Sequence, residues 1–159
     1  MLYFARTSAL LAAGVVFALT AGATTIPKLS FDELTDRSEL VVSGQISRSW
    51  TAWDASHRFI WTHYELSVTA THKGTAGQSL VVSEPGGMVE GTSQIVPGTV
   101  QYFPGEKVFV FLSRMPNGYL RTTGWSQGKF AAGVASRDLA MRVAARVRSQ
   151  FLLQHGKAQ

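Results

Sequence analysis

The segment Ile60–Thr69 alternates from residue to residue, and this alternation constrains the fold more than any other feature of the chain. Its even-numbered positions carry Ile, Thr, Tyr, Leu and Val, and its odd-numbered positions carry Trp, His, Glu, Ser and Thr. Because successive side chains of a strand point to opposite sides of a sheet, the pattern predicts a long, half-buried antiparallel strand. Lys107–Ser113 is apolar on both faces, which predicts a central strand covered on two sides.

Shorter segments of strand-forming residues precede and follow these two. We predict further strands at Leu40–Ile46, Ser79–Glu84, Thr92–Val96, Tyr119–Thr122 and Lys129–Ala132. Pro-Gly pairs at 85–86, 97–98 and 104–105 suit type II turns, in which proline fixes φ and glycine adopts a left-handed conformation. This series of short strands predicts a mainly β fold, and we expect a small antiparallel OB-like barrel or sandwich.

Two helices flank the predicted strands. Ser30 and Glu33 match the capping box, so we predict a short N-terminal helix over Phe31–Arg37. Apolar residues recur at helical spacing through Arg137–Leu153, which predicts an amphipathic C-terminal helix. We expect this helix to cover an open side of the strand domain. The alternative is a helix that lies on a membrane surface or on an acidic partner.

Residues 1–23 have the pattern of a secretory signal peptide. Arg6 gives the positive charge, Ala9–Leu19 is an apolar run, and Ala21–Ala23 is a small-x-small cleavage site. We expect cleavage near Ala23 and a periplasmic or extracellular protein, with a β-barrel domain over residues 24–136 and a C-terminal helix within 137–159. The alternative is an uncleaved anchor, but the apolar run is shorter than the roughly 20 residues that span a bilayer. We expect no membrane span after cleavage.

The chain has no cysteine, which excludes several chemistries together. Disulfides, Cys-ligated zinc, iron–sulfur clusters and a thiol nucleophile all require that residue. Loss of Arg6 with the leader lowers the formal net charge of +5 by one, to a value modest for a protein that follows phosphate backbones. We therefore expect no nucleic-acid partner. Pro85-Gly86-Gly87 lacks the spacing of a phosphate-binding loop, and we expect no cofactor.

Five segments occur in an order that resembles a family of small exported bacterial proteins. They are LTDRSELVVSG at 34–44, WD at 53–54, VTATHKG at 68–74, PGEKVFVFL at 104–112 and QGKF at 127–130. The resemblance covers most of residues 30–132 and implies the fold, because its motifs are strand and turn residues. The chain is also distantly similar to the OB-fold tissue-inhibitor and netrin-like domains. Those domains depend on cysteines, one of which chelates zinc, so their inhibitory mechanism does not carry over to this chain.

One motif suggests an enzyme. Residues 124–128 match G-x-S-x-G, and Asp138 and His155 follow Ser126 in the chain order of an α/β-hydrolase triad. That triad requires a parallel sheet and a helix after the serine, whereas an extended segment is predicted after Gly128. Asp138 also suits the first turn of the predicted helix. A small serine hydrolase that uses Ser126 is therefore an alternative function, and an inhibitor or partner of an exported protease is another.

Four polar residues have spacings that metal sites use. His63 and Glu65 lie two apart on one predicted strand face, and Asp54 and His57 lie in the preceding loop. The sequence contains no HExxH or other tight zinc pattern. A half-exposed strand surface explains the four residues equally well, and we predict no metal site.

Three tryptophans flank the connection between the first two predicted strands. The predicted ligand-binding residues are Trp50, Trp53, Asp54, His57, Arg58 and Trp61. Aromatic rings beside cations suit sugars, bases and peptide aromatics, and this connection contributes to the ligand face of OB-like barrels. The alternative is that one or two tryptophans fill the end of the barrel. We expect an exported, non-enzymatic binding or interaction module whose ligand is a protein or glycan of the cell envelope.

Overall fold

The computed structural model describes residues 27–133 and 135–155, and the predicted leader, residues 1–23, lies outside this part of the chain. The helices are α1 (Phe31–Arg37) and α2 (Ser136–His155), and a short 3₁₀ helix spans Trp125–Gly128. The strands are β1 (Leu40–Trp53), β2 (Ile60–Lys73), β3 (Ser79–Pro85), β4 (Gly87–Val89), β5 (Thr92–Gln94), β6 (Lys107–Arg114), β7 (Leu120–Thr122) and β8 (Lys129–Ala131).

Five of the strands pair in a closed ring. β1 pairs with β2, β2 with β3, and β6 with both β7 and β1, all in antiparallel fashion. A parallel contact between Val82 of β3 and Leu120 of β7 completes the ring. β8 adds to β6 beside β7, and β4 and β5 form a separate hairpin. Closure of the ring removes most of the free strand edges that could recruit another chain.

The mainly β class, the short N-terminal helix and the C-terminal helix are confirmed, while the OB-like assignment stays a prediction. One pairing departs from the expected antiparallel arrangement, because β3 and β7 run in the same direction where the ring closes. β1 and β2 are longer than predicted, since they continue as a hairpin beyond the part of β1 that pairs with β6. Trp50 and Trp53 are therefore residues of β1.

Two apolar clusters stabilise the fold, one inside the ring and one between the ring and the helices. Ile46, Leu66 and Val110 are buried in the inner cluster. Phe109 and Phe111 belong to the outer cluster, beneath α1 and α2. β6 contributes to both clusters because its side chains alternate between the two sides. The apolar run over Lys107–Ser113 thus predicted a strand that is covered on both faces, and this is confirmed.

The capping box at the start of α1 is confirmed. Ser30 Oγ accepts a hydrogen bond from the Glu33 N–H at 3.2 Å, and the Glu33 carboxylate accepts one from the Ser30 N–H at 2.8 Å. These bonds satisfy donors that a helix start leaves unpaired. At the other end of the element, Lys73 Nζ donates to the Thr35 carbonyl at 2.6 Å and so ties α1 to the end of β2.

α2 covers one side of the ring, and it extends one residue earlier and two residues later than predicted. Leu139 and Val143 are its buried residues. Arg146 forms an ion pair with Asp36, with Nη2 and Oδ2 2.5 Å apart, which joins α2 to α1. Within residues 27–133 and 135–155, none of the helices combines the length and apolarity needed to cross a bilayer.

Gly74, in the turn after β2, has a left-handed conformation and a close neighbour. Its φ is +76°, and a Cβ built there would lie 2.5 Å from the Glu39 carbonyl oxygen. Gly118 has a φ of +86° with open space around it. We expect Gly118→Ala to cost about 1–2 kcal/mol for the conformation alone, and Gly74→Ala to cost about 1–3 kcal/mol more for the clash. Urea unfolding measures both losses, and equal losses would contradict the close approach.

Candidate functional site

The predicted ligand-binding residues all lie at the far end of the β1–β2 hairpin. Trp50 and Trp53 belong to β1, Trp61 belongs to β2, and the other three lie in the connecting loop, residues 54–59. The strands do not bring the tryptophans together on one side. Trp50 is paired with His63, whereas Trp53 is paired with Ile60, which is fully buried.

The odd spacing of Trp50 and Trp53 places them on opposite sides of β1, and a β-bulge at Ser47 decides which of them faces outward. Ile46, before the bulge, faces the inner cluster, and the next paired residue of β1 is Arg48. One extra residue shifts the alternation of a strand by one position, so every later side chain changes sides. Trp50 therefore lies on the outer side of the hairpin. Trp53 lies on the inner side, where the β4–β5 hairpin packs.

Four aromatic rings on the outer side form a continuous cluster, which we call the aromatic face: Trp50, Trp61, His63 and Tyr119. Trp50 stacks on His63 with ring centroids 5.3 Å apart. Tyr119 meets His63 edge-on at 5.4 Å and Trp61 edge-on at 5.1 Å. Tyr119 immediately precedes β7, so the closure of the ring brings it to the hairpin from a distant part of the sequence.

An ion pair borders the aromatic face. Arg48 Nε lies 2.6 Å from a carboxylate oxygen of Glu65, its cross-strand partner. The guanidinium of Arg48 also lies 4.9 Å from the centre of a Trp50 ring, close enough for a cation–π contact. The hydrogen bond from Arg48 lowers the pKa of Glu65, with a further contribution from Ser47. Glu65 is therefore charged at neutral pH, and the border carries both signs of charge.

His63 forms the base of the aromatic face. Only 8% of its surface is exposed, and its Nδ1 lies 2.8 Å from Ser83 Oγ. Burial lowers the pKa of this imidazole, so His63 is neutral at pH 7. A neutral ring can stack on Trp50 without a charge buried beneath the indole.

The rings above His63 keep polar atoms that nothing in the described chain uses. Within residues 27–133 and 135–155, the indole N–H groups of Trp50 and Trp61 and the Tyr119 hydroxyl form no hydrogen bond, and the polar atoms of Trp61 and Tyr119 are not buried. The donors of Trp61 and Tyr119 therefore reach solvent. Trp50 itself is 37% exposed. Buried indole and phenol groups normally find protein partners, so the donors of Trp61 and Tyr119 are available to a ligand that contacts the exposed Trp50.

The charged residues of the loop have structural roles. Asp54 accepts a hydrogen bond from Ser56 Oγ at 2.8 Å and from the backbone N–H groups of Arg58 and Phe59. These bonds, led by the one from Ser56, lower the pKa of Asp54. His57 has a positive φ of 53° and stacks beside Trp53, with centroids 6.3 Å apart. The loop is thus a formed turn held by bonds within the loop, and its His57 stacks beside Trp53 and not on the aromatic face.

Gln94 of β5 fixes the loop to the second hairpin. Its Oε1 accepts the Ile60 N–H at 2.8 Å, and its Nε2 donates to the Arg58 carbonyl at 2.9 Å. Beside this contact lies an open groove of about 460 Å³. Thr62 and Tyr64 of β2 line one wall, and the connection over residues 85–101 lines the other. The groove carries hydroxyl and amide groups but no charged side chain.

The residues considered for a metal site are not brought together. His63 and Glu65 face the outer side, each with partners of its own, whereas Asp54 bonds within the loop and His57 stacks beside Trp53. Over the part of the chain that the structure describes, no three His, Asp or Glu residues are grouped as metal ligands. His72, which lies further along β2, stacks on Phe109 and bonds Ser43.

The serine, aspartate and histidine of the hydrolase motif are also not arranged as a catalytic triad. Asp138 lies in the first turn of α2 and His155 is its last residue. Helical rise of about 1.5 Å per residue separates the two by about 25 Å, so they cannot act on one serine. Ser126 lies exposed in the 3₁₀ helix, with the extended β8 after it. His155 bonds the Phe151 carbonyl and stacks on the Phe151 ring.

Sequence alternation identified Trp61, His63 and Glu65 as one strand face, but it did not identify Tyr119 or the role of His63 in the aromatic face. Tyr119 could have been found only from the strand order, since it reaches the face by ring closure.

The comparisons with known proteins add no relative: no protein-family model matches the chain, and no curated protein matches it.

Proposed function

We propose that this protein is an exported, non-enzymatic binding module that contacts a protein or glycan of the cell envelope through the aromatic face. The observation that carries the proposal is the pair of solvent-reaching donors on Trp61 and Tyr119, which have no partner in the described protein and lie on the same face as the exposed Trp50. Rings that only filled the end of a barrel would have their polar atoms bonded or buried. These rings lie outside the ring of strands.

The position of the aromatic face supports a binding role. Its residues lie on the outer side of the β1–β2 hairpin and in the turn that precedes β7. Five-stranded OB-like barrels bind ligands across the corresponding strands and loops. The proposed OB-like assignment and the proposed binding face are therefore consistent with each other, although each rests on different observations.

A protein partner is favoured over a glycan. The four rings contact one another, so they form a continuous surface and not a slot between separated ring faces. Tryptophan, tyrosine and arginine are the residues that dominate binding energy at protein–protein interfaces, and Trp50, Tyr119 and Arg48 meet here. The Arg48–Glu65 pair at the border would orient the partner more than it would strengthen binding.

Trp50→Ala is expected to weaken binding by about 30-fold or more, because an interface tryptophan of this kind contributes about 2 kcal/mol or more. The matched control is Trp53→Ala, which removes a tryptophan three residues away on the inner side of the same strand. Immobilised protein and both variants are incubated with the native envelope fraction, and the retained partner is then titrated by tryptophan fluorescence. Circular dichroism and urea midpoints establish that both variants remain folded.

The two variants distinguish the possible surfaces. Loss of binding in Trp50→Ala alone supports the aromatic face. Loss in Trp53→Ala alone would move the site to the inner side, beside His57 and the groove. Equal retention of the partner by both variants would contradict a role for either tryptophan. Retention of purified glycan in place of protein would overturn the choice of partner class.

A further inference from the structure

The C-terminal part of α2 carries large apolar side chains that the domain does not cover. Phe151, Leu152 and Leu153 are 58–65% exposed, and Met141 on the same helix is 64% exposed. The buried and half-buried apolar residues of α2 end at Val147, and each residue from 151 to 155 is exposed. The helix therefore continues past its own docking site with apolar residues and no described neighbour to bury them.

The exposed residues include a stripe opposite the docked side. Successive residues of a helix are rotated by about 100°. Met141, Arg148 and Leu152 consequently lie on one line along the helix, about half a turn away from the buried Leu139 and Val143. Ala145 lies beside this line, so the outward side of α2 combines apolar side chains with arginine.

The charge of α2 is strongly positive, and part of it faces outward. The helix contains four arginines and a single acidic residue, Asp138. Arg146 pairs with Asp36 and Asp32, and Arg142 lies over the Phe31 ring, so both are committed to α1. Arg137 and Arg148 are exposed and form no ion pair with any residue in the described part of the chain.

We propose that the outward side of α2 binds an anionic lipid surface. Phe151, Leu152 and Met141 would enter the boundary between headgroups and acyl chains, and Arg137 and Arg148 would extend their charged ends to lipid phosphates. Each basic residue near an anionic leaflet adds attraction of its own. This mode of binding places the helix in the plane of the membrane and leaves the aromatic face on another element.

The spread of the apolar residues favours a lipid surface over a protein groove. Phe151, Leu152 and Leu153 are consecutive, so they point in three directions about 100° apart. A groove in a partner protein buries residues at helical spacing along one side. Three consecutive residues do not have this spacing, whereas a fluid lipid surface accepts Phe151 and Leu152 without a fixed spacing, and its negative charge would match the two outward arginines.

The absence of cysteine from the chain permits a site-specific test. Leu152→Cys introduces a single thiol, which is labelled with an environment-sensitive fluorophore. Vesicles of phosphatidylglycerol and phosphatidylcholine are then added to the protein as recovered from expression. We expect a blue shift and an intensity rise for this probe. The matched control is Ile95→Cys, where the native residue is 88% exposed on a different surface, and its probe is expected to stay unchanged.

Further measurements separate lipid binding from the other possible occupants of the helix. Phe151→Ser with Leu152→Ser is expected to weaken vesicle binding by at least about tenfold, and Arg148→Glu is expected to weaken binding only to vesicles with anionic lipid. A Leu152→Cys probe that does not respond to vesicles would overturn the proposal. A probe that responds to protein concentration without lipid would assign the surface to a second copy of the chain, and would overturn it as well. Neither of these two results affects the partner binding measured with Trp50→Ala, so the two proposals are tested separately.

Discussion

Arg121→Met is expected to destabilise the protein by about 3–5 kcal/mol at pH 7, because it leaves a buried carboxylate without its partner. Glu84 on β3 is fully buried. Its carboxylate lies 3.0 Å from Arg121 Nε and accepts the Thr122 N–H at 2.9 Å. Methionine retains an apolar stem beside Trp125, whose ring lies 3.8 Å from the Arg121 guanidinium, so the change removes chiefly the charge.

The stability lost in Arg121→Met is expected to depend on pH. Burial raises the pKa of Glu84 above the ordinary value of 4.5, while Thr122 and Arg121 oppose the rise. A carboxyl group with a raised pKa in the folded state stabilises the fold most below its unfolded pKa, and this contribution is lost as pH rises through the folded pKa. Without Arg121 the pKa rises further. Arg121→Met should therefore cost least near pH 4 and progressively more toward pH 7.

The matched control is Arg114→Met, which removes the arginine of an exposed ion pair. Arg114 Nη2 lies 2.8 Å from Glu39, but both side chains are nearly half exposed, and such pairs contribute at most about 1 kcal/mol. Urea unfolding at pH 4 and pH 7 measures both variants. Glu84→Gln combined with Arg121→Met should recover part of the loss, because no charge is then buried. Equal effects of Arg121→Met and Arg114→Met would refute the role of burial.

Phe111→Ala is expected to destabilise the protein by about 3–5 kcal/mol through the cavity that it leaves. The Phe111 ring is fully buried, and its centroid lies 5.4 Å from that of Phe31 and 5.8 Å from that of Phe130. One side chain thus joins α1, β6 and β8. A protein of this size has about 5–15 kcal/mol of stability in total, so the loss would be a large part of it.

The control for this change is Phe103→Ala, because Phe103 is 63% exposed. Surface replacements of this kind usually change stability by about 0.5 kcal/mol or less. Both variants are compared by urea unfolding with far-UV circular dichroism. A loss below about 2 kcal/mol in Phe111→Ala would show that α1 moves to fill the space, which would contradict the rigid packing of the outer cluster.

Local patterns in the sequence predict most of the elements but not the contacts that assemble the candidate site. The capping box predicts the bounds of α1, and alternation predicts β2, because both depend on neighbours a few residues away. Glu84 shows what local patterns do not predict. The sequence places it at the end of a strand, yet its burial depends on Arg121 and Thr122, which the ring brings from β7. Tyr119 reaches the aromatic face for the same reason.

The three tryptophans illustrate a second limit. Proximity in the sequence suggests one site for Trp50, Trp53 and Trp61, but the bulge decides whether Trp50 or Trp53 shares the outer side with Trp61. A bulge is stabilised by cross-strand contacts, and no composition pattern in β1 marks its position. The sequence therefore predicts which residues approach the hairpin end, and the structure shows which of them face outward.

The bulge at Ser47 makes the aromatic face more sensitive to the length of the chain than to its composition. Deleting Ser47 would restore simple alternation, turn Trp50 inward and carry Trp53 to the outer side. No substitution elsewhere in the hairpin could exchange two tryptophans in one step. A gain or loss of one residue at this position would therefore change the surface that the hairpin presents, because every side chain of β1 beyond it changes sides while the residue types stay the same.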